Sequence, residues 1–132
     1  MDYFKPALDL ITVNAVSTLG LAHVGDGVYE LMTRAMLCAA GHTQVNDLHL
    51  LTVRRVNAPA QAKAVKKIMD ILTPEELSVY KRGRNAHVNS VPQHADVSEY
   101  HAATGLEALF GWLYLQGETR RLNELFAAMA ED

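Results

Sequence analysis

The sequence predicts an all-α fold of about seven helices, and three observations support this prediction. Apolar residues recur at spacings of three and four along almost the whole chain, which is the periodicity of helices that bury one face. No convincing stretch of four or more residues alternates apolar and polar side chains, as a half-buried strand would. Capping residues and glycines stand where these helices would begin and end. A length of 132 residues fits a single domain, over residues 1–132.

The first two predicted helices differ in length. A short helix is expected near residues 6–11, and a long one from about Ser17 to Ala40. Gly41 follows directly and is a natural C-terminal stop for the long helix. The apolar stripe of the long helix comprises Leu21, Val24, Val28, Leu31 and Ala35.

The third helix is predicted from about Thr43 to Val56, and a fourth then begins. Asn57 can cap the fourth helix, and Pro59 is tolerated in its first turn. This helix is expected to continue to Leu72. Its inward-facing residues would be Val65, Ile68, Met69 and Leu72.

The fifth helix has the clearest start signal in the chain. Thr73 can cap it, Pro74 suits the first helical position, and Glu76 completes a capping box. We expect this helix to end near Gly83.

The C-terminal third is predicted to contain a polar loop and two helices. Residues 85–97 have the composition of an exposed loop. Ser98 can cap the sixth helix, which would run to about Gln116. The last helix is amphipathic and would extend from about Thr119 to Met129.

The charge of the chain is unevenly distributed. Net charge is −3, but residues 54–84 hold eight basic residues and three acids, so that this segment is +5 and the remainder is −8. This asymmetry favours a surface for a polyanion, although a solvated helix face would show the same charge pattern. The basic residues are Arg54, Arg55, Lys63, Lys66, Lys67, Lys81, Arg82 and Arg84.

Features of secretion and membrane insertion are missing from the sequence. No apolar run approaches the roughly 20 residues that a membrane span needs, and the N-terminus does not resemble a signal peptide. Cys38 is the one cysteine and is expected to be a buried apolar residue. A cytoplasmic location fits these features.

Two carboxylates interrupt apolar helices and are flanked by glycines. Asp26 lies between Gly25 and Gly27, and Glu107 lies two residues after Gly105. A carboxylate on a core-facing helix is costly unless it is paired or binds a cation. Two inward carboxylates from different helices suit Mg²⁺, which takes oxygen ligands. The alternative is that each makes a buried hydrogen bond or salt bridge.

Other catalytic and metal-binding patterns are weak in this sequence. The histidines form no His-x-x-x-His pair, and the single cysteine has no partner, so a zinc site is not expected. No glycine-rich phosphate loop or nucleophile motif is found. Glu30 follows Asp26 by four residues and therefore shares its helix face, either beside the metal site or simply in solvent.

Three ordered segments resemble motifs of one enzyme family. Residues 24–31, Val-Gly-Asp-Gly-Val-Tyr-Glu-Leu, resemble the signature helix of the ribonuclease III catalytic domain. Residues 104–115, from Thr104 to Leu115, resemble its second carboxylate motif. Residues 81–86, Lys-Arg-Gly-Arg-Asn-Ala, are similar to the basic loop of the Mini-III ribonucleases, the short branch of that family.

The resemblance implies a helical bundle like the ribonuclease III catalytic domain, which acts as a homodimer on double-stranded RNA. Asp26 and Glu107 would be the catalytic residues and the ligands of Mg²⁺, with Mn²⁺ as a substitute. Glu30 and Thr104 would lie in the outer shell of the site. The branch is associated with trimming precursor large-subunit (23S) ribosomal RNA, with a large-subunit ribosomal protein as helper. The RNA-binding residues would be Lys81, Arg82, Arg84 and Asn85.

Three positions depart from the pattern of the larger enzymes. Full-length ribonuclease III enzymes carry a glutamate where this chain has Ala22 and an aspartate where it has Thr104. An aromatic residue that packs across the dimer corresponds to His23. The site therefore has fewer acidic ligands, and the number of metal ions is left open.

Two other functions are compatible with part of this pattern. A site with two acidic residues fewer than in the larger enzymes would suit a homologue that binds ribosomal RNA without cleaving it, but both central carboxylates are retained. A helical metal hydrolase acting on nucleotides should carry additional acids or a His-Asp pair, and none is visible.

Overall fold

The computed structural model describes residues 1–86 and 96–131. Within these ranges the protein forms seven α-helices and a short 3-10 helix, Met69–Ile71, and no strand. The predicted all-α class is therefore confirmed. The helices are α1 (Leu10–Asn14), α2 (Thr18–Ala39), α3 (Val45–Val56), α4 (Ala58–Lys66), α5 (Pro74–Arg84), α6 (Val97–Leu115) and α7 (Thr119–Ala130).

Helix α6 is the centre of the fold. It is apolar on all sides, and a helix of this kind is stable only when neighbours surround it. Leu106, Leu109 and Phe110 are completely buried, and helices α2, α4 and α5 make the most extensive contacts with α6. The core therefore lies around α6, and these three neighbours do most to fix the position of that helix.

Capping side chains begin α2, α4 and α5 at or next to the positions that the sequence predicts. Ser17 accepts a hydrogen bond from the Gly20 N–H at the start of α2, and Asn57 caps α4. At α5, the Thr73 hydroxyl accepts from the Glu76 N–H while the Glu76 carboxylate accepts from the Thr73 N–H. Side-chain acceptors satisfy backbone donors that a helix start leaves without partners.

Several helix boundaries differ from the prediction. The first helix begins only at Leu10, because the Asp9 carboxylate caps it by accepting from the Thr12 N–H. Helix α3 begins at Val45 rather than at Thr43. The fourth helix ends at Lys66 instead of continuing to Leu72, although the chain still buries Val65 and Ile68 as expected.

The sixth helix is capped by a different residue from the predicted Ser98. The Asp96 carboxylate accepts hydrogen bonds from the N–H groups of Ser98 and Glu99, so the helix begins at Val97. The predicted loop over residues 85–97 falls mainly on residues 87–95, which lie outside the described residues.

The buried face of α2 is rotated relative to the predicted stripe. Leu21 is buried as expected, but Leu31 and Ala35 are exposed. Cys38 is also exposed, contrary to the expectation of a buried thiol. The helix has apolar residues on two faces, and α6 covers only one of them. The buried positions are Leu21, Ala22, Gly25, Tyr29, Thr33 and Leu37.

Hydropathy along the described helices gives one further result. None of them combines the length and the apolar character required to cross a lipid bilayer.

Candidate active site

Helices α2 and α6 touch through their backbones at two glycines. A Cβ atom on Gly25 would lie 1.6 Å from the backbone oxygen of Glu107, and one on Gly111 would lie 1.9 Å from that of Leu21. Any side chain at either position would therefore force the helices apart. This contact places Asp26, the neighbour of Gly25, beside the helix segment that carries Glu107.

The two predicted carboxylates meet at this crossing. Asp26 is exposed and Glu107 is half-buried, so the expectation that both face the core is wrong for Asp26. Burial is the main cause that raises the pKa of Glu107 to about 8, and the adjoining Asp26 carboxylate raises it further. Two adjacent carboxylates repel each other when both are ionised, and the pair is favourable only when a proton or a cation lies between them.

This pair of groups fits a divalent metal ion. Mg²⁺ prefers oxygen ligands and usually keeps several waters, so two protein carboxylates suffice to hold it. Within the described part of the chain, no cluster of three or more His, Cys, Asp or Glu side chains is present. Asp26 and Glu107 are thus the residues that could hold an ion, and water would complete its coordination.

The two predicted outer positions lie in different surroundings. Thr104 is buried on α6, one turn before Glu107, and its hydroxyl donates to the Tyr100 carbonyl at 3.0 Å. The oxygen of Thr104 keeps its lone pairs free to accept a hydrogen bond. Glu30 instead pairs with Arg34 at 3.3 Å on the exposed side of α2. The structure therefore brings Thr104 near the carboxylate segment, whereas Glu30 is engaged elsewhere.

Gln61 is a site residue that the sequence prediction missed. It lies on α4 with 1% of its surface exposed, and its side chain contacts the carboxyl group of Glu107, where it counteracts the rise in pKa. Its Oε1 atom is buried without a hydrogen-bond partner, alone in this respect among the described residues. Such an atom costs about 1 to 3 kcal/mol. Gln61 precedes Val65 and Ile68 by four and seven residues, so a polar residue on the inward stripe of α4 was the available signal.

The predicted basic loop is helical. Lys81, Arg82 and Arg84 occupy the last turn of α5, and Asn85 is its C-cap residue. Gly83 does not bend the chain there; a Cβ on it would lie 2.8 Å from the Gly105 Cα atom, so the glycine lets α5 approach α6 closely. Basic side chains at a helix C-terminus are also favoured by the helix dipole.

The contact of α5 with α6 places these basic residues close to the segment of Glu107. Lys81, Arg82 and Asn85 are exposed and line one open cavity at this end of α5. Arg84 is half-buried and lies over the Tyr80 ring, 5.8 Å from its centroid. Among the described residues, neither arginine forms a salt bridge, and Asp96 serves as a helix cap instead.

Four of the five remaining basic residues of segment 54–84 form a second group. Arg54, Arg55, Lys63 and Lys67 line another cavity of about 170 Å³ together with Tyr29. Lys67 donates to the carbonyl groups of Met129 and Glu131 at the end of α7. The positive charge that is continuous in the sequence therefore forms two patches in the structure.

Comparisons with known proteins agree on one family. Residues 19–118 match the model of the ribonuclease III domain. A Mini-ribonuclease 3 from Symbiobacterium thermophilum is 46% identical over 113 residues, which cover 86% of this chain and 87% of the relative. A Mini-ribonuclease 3 from Thermoanaerobacter sp. is also 46% identical, with coverage of 86% and 80%. The crystal structure of a protein from Fusobacterium nucleatum aligns with a TM-score of 0.78 at 30% identity and covers 87% of this chain and 92% of that one.

Proposed function

We propose that this chain cleaves double-stranded RNA with the help of Mg²⁺. It belongs to the ribonuclease III family, in its Mini-ribonuclease 3 group, and is an endoribonuclease of that type. The observation that carries this proposal is the meeting of Asp26 and Glu107 where Gly25 and Gly111 bring α2 and α6 into contact. A half-buried carboxyl group next to an exposed one, without a neutralising partner among the described residues, is suited to a bound cation.

Asp26 and Glu107 would hold the metal ion. When bound, Mg²⁺, or Mn²⁺ in its place, activates a water molecule and offsets charge on the scissile phosphate. The backbone contact between α2 and α6 keeps the two carboxylates in fixed relative positions, so little reorganisation is needed when RNA arrives. Thr104 can accept a hydrogen bond from a water in the site, because its own proton is directed to Tyr100.

The C-terminal end of α5 would bind the RNA backbone. Lys81, Arg82 and Asn85 face one cavity, and α5 rests on the α6 segment that carries Glu107. Arg84 lies beside them and is oriented by Tyr80 and by its hydrogen bond to Asn85. Contacts of this kind recognise phosphates and 2′-hydroxyls, so we expect modest sequence preference on duplex RNA.

The enzyme would act as a homodimer. Helix α3 buries only Thr52, whereas Val45, Leu50 and Val53 are 79%, 54% and 46% exposed. Exposed apolar patches mark interaction surfaces, and a second copy of the chain would cover this one. A two-fold axis that relates two subunits also relates the two strands of a duplex. His23 is exposed on α2, at the position where the family resemblance implies an aromatic residue that packs across the dimer.

The biological substrate would be the base-paired ends of precursor 23S ribosomal RNA. We infer this substrate, a large-subunit ribosomal protein as helper and a cytoplasmic location from the group to which the chain belongs.

Incubation of the protein with a structured 23S precursor and Mg²⁺, with the cut ends mapped on both strands, tests the proposal. We expect paired cuts within a duplex, lost on chelation and in Asp26→Asn. Binding of the RNA without any cut would instead identify a docking protein. Light scattering at the same protein concentration should give a dimer mass, and a monomer mass alongside full activity would contradict the assembly.

A further inference from the structure

Gln61 is held in one orientation between two helices. Its Nε2 atom donates to the carbonyl oxygen of Val56 at 2.9 Å, and Val56 is the last residue of α3. That carbonyl has no partner within its helix, because the helix ends there. Rotating the amide by half a turn would place Gln61 Oε1 against the carbonyl oxygen of Val56, and two acceptors cannot form a hydrogen bond. The bond to Val56 therefore determines which amide atom is nitrogen.

The same amide lies beside the carboxylates. The Gln61 side chain lies next to the Glu107 carboxyl group, which in turn adjoins Asp26. Three helices therefore each contribute one polar side chain to the same place: α2 with Asp26, α6 with Glu107 and α4 with Gln61. Solvent hardly reaches these three side chains from the α4 side, because Gln61 is 1% exposed.

The free oxygen of Gln61 has no role in the fold. Oε1 is buried and accepts no hydrogen bond from the protein. Most buried polar atoms in proteins have a partner, and those that lack one are commonly satisfied by an ordered water. An amide nitrogen and oxygen are joined to the same carbon, so Oε1 necessarily lies close to the Glu107 carboxyl group as well.

We propose that Gln61 is a positioning residue of the carboxylate site: its amide N–H restrains the Glu107 carboxylate, and its Oε1 accepts a hydrogen bond from a water bound next to that carboxylate. The proposal rests on the proposed function, because the water it orients would belong to the hydration shell of the ion held by Asp26 and Glu107. Groups that orient metal ligands typically change metal affinity or activity by about 10- to 100-fold when they are removed.

The test compares Gln61→Met and Gln61→Leu with a matched loss of an amide elsewhere. Gln116 supplies the control, because its Nε2 donates to the Trp112 carbonyl at 2.9 Å at the far end of α6. We expect Mn²⁺ binding to RNA-free protein, followed by electron paramagnetic resonance, to weaken about 10-fold in the Gln61 variants. Their kcat should fall by a similar factor with KM for duplex RNA unchanged, while Gln116→Leu should leave all three values unaltered. A folded Gln61→Met protein with wild-type Mn²⁺ affinity and kcat would overturn the proposal.

A measurement on the unaltered protein covers the case in which the variants do not fold. The side-chain NH₂ resonances of Gln61 should shift when Mg²⁺ is added, and those of Gln116 should not. Unchanged Gln61 resonances at saturating Mg²⁺ would overturn the proposal. The two proposals fail separately. Wild-type protein whose Mn²⁺ affinity depends on Gln61 but which cuts no RNA refutes the proposed function. Protein that stays active and binds Mn²⁺ normally after Gln61→Met refutes the positioning role.

Discussion

Replacing Gly25 by alanine tests whether the helix crossing creates the site. The added Cβ would lie 1.6 Å from the Glu107 backbone oxygen, and real Cβ contacts essentially never fall below 3.0 Å, so α2 and α6 must separate by 1.4 Å or more. A backbone oxygen cannot rotate away as a side chain can. We therefore expect destabilisation of about 3 kcal/mol, the upper end for overpacking, and a melting temperature lower by about 10 °C. A shift of more than about 1 Å between the catalytic carboxylates should also slow cleavage about 100-fold.

Gly27→Ala is the matched control for this substitution. Gly27 lies on the same helix on the other side of Asp26, and a Cβ there meets nothing within 4 Å. Removing a helical glycine should raise stability by about 0.5 to 1 kcal/mol and leave cleavage intact. Thermal melting by circular dichroism and a duplex RNA cleavage assay measure both quantities. If Gly25→Ala melts and cleaves like the wild-type protein, the argument from the glycine contact is wrong.

Three further predictions follow from the same region. Asp26→Asn should lower Mg²⁺-dependent cleavage at least about 100-fold while the melting temperature stays equal or rises, because like-charge repulsion is relieved; wild-type cleavage would end the catalytic assignment. In protein kept metal-free with a chelator, Glu107→Gln should be more stable than wild type by a margin that grows from about pH 4.5 to about pH 8. The raised pKa of Glu107 means that this carboxyl ionises near pH 4.5 in the unfolded chain but only near pH 8 in the folded protein, so the wild-type protein loses stability across that range; a margin independent of pH would contradict the burial of this group. Arg82→Ala combined with Arg84→Ala should reduce the slope of log affinity against log salt by about 1.5 with little change in melting temperature, whereas Arg120→Ala, an exposed charge on α7, should not; an unchanged slope would refute RNA binding by these arginines.

The sequence predicts helices well here because their signals are local. The Thr73 and Glu76 capping box acts within one turn and is found as predicted. The long helix was expected to start at about Ser17, and Ser17 is its capping residue. The buried face of α2 was predicted only in part: Leu21 is buried, but Leu31 is exposed while Tyr29 is buried in its place. Both belong to apolar stripes, and periodicity does not reveal which stripe α6 covers. Helix contacts are decided by packing between distant segments, which no single stretch of sequence contains.

Site residues were predictable from the sequence where burying their side chain costs free energy. They were not predictable where the residue type only permits several local structures. A carboxylate on an apolar helix, as with Glu107, demands compensation and therefore draws notice. Gln61 carries the same signal more weakly, because a neutral amide is less expensive to bury. The fifth helix was expected to end near Gly83, because glycine often follows a helix end, but glycine also permits close approach. The position of Gly105 across the interface shows that close approach is its role here.

The exposure of Cys38 provides a natural reporter of assembly. It is the sole cysteine of the chain and lies in a shallow cavity that it shares with Val45 and Leu48 of α3. One maleimide-linked spin label per subunit can therefore be attached without engineering. In a homodimer the two labels are related by the symmetry axis and give a single interlabel distance in pulsed paramagnetic resonance, whereas a monomer gives none. The same label would follow any movement of α3 against α2 as RNA is bound and released.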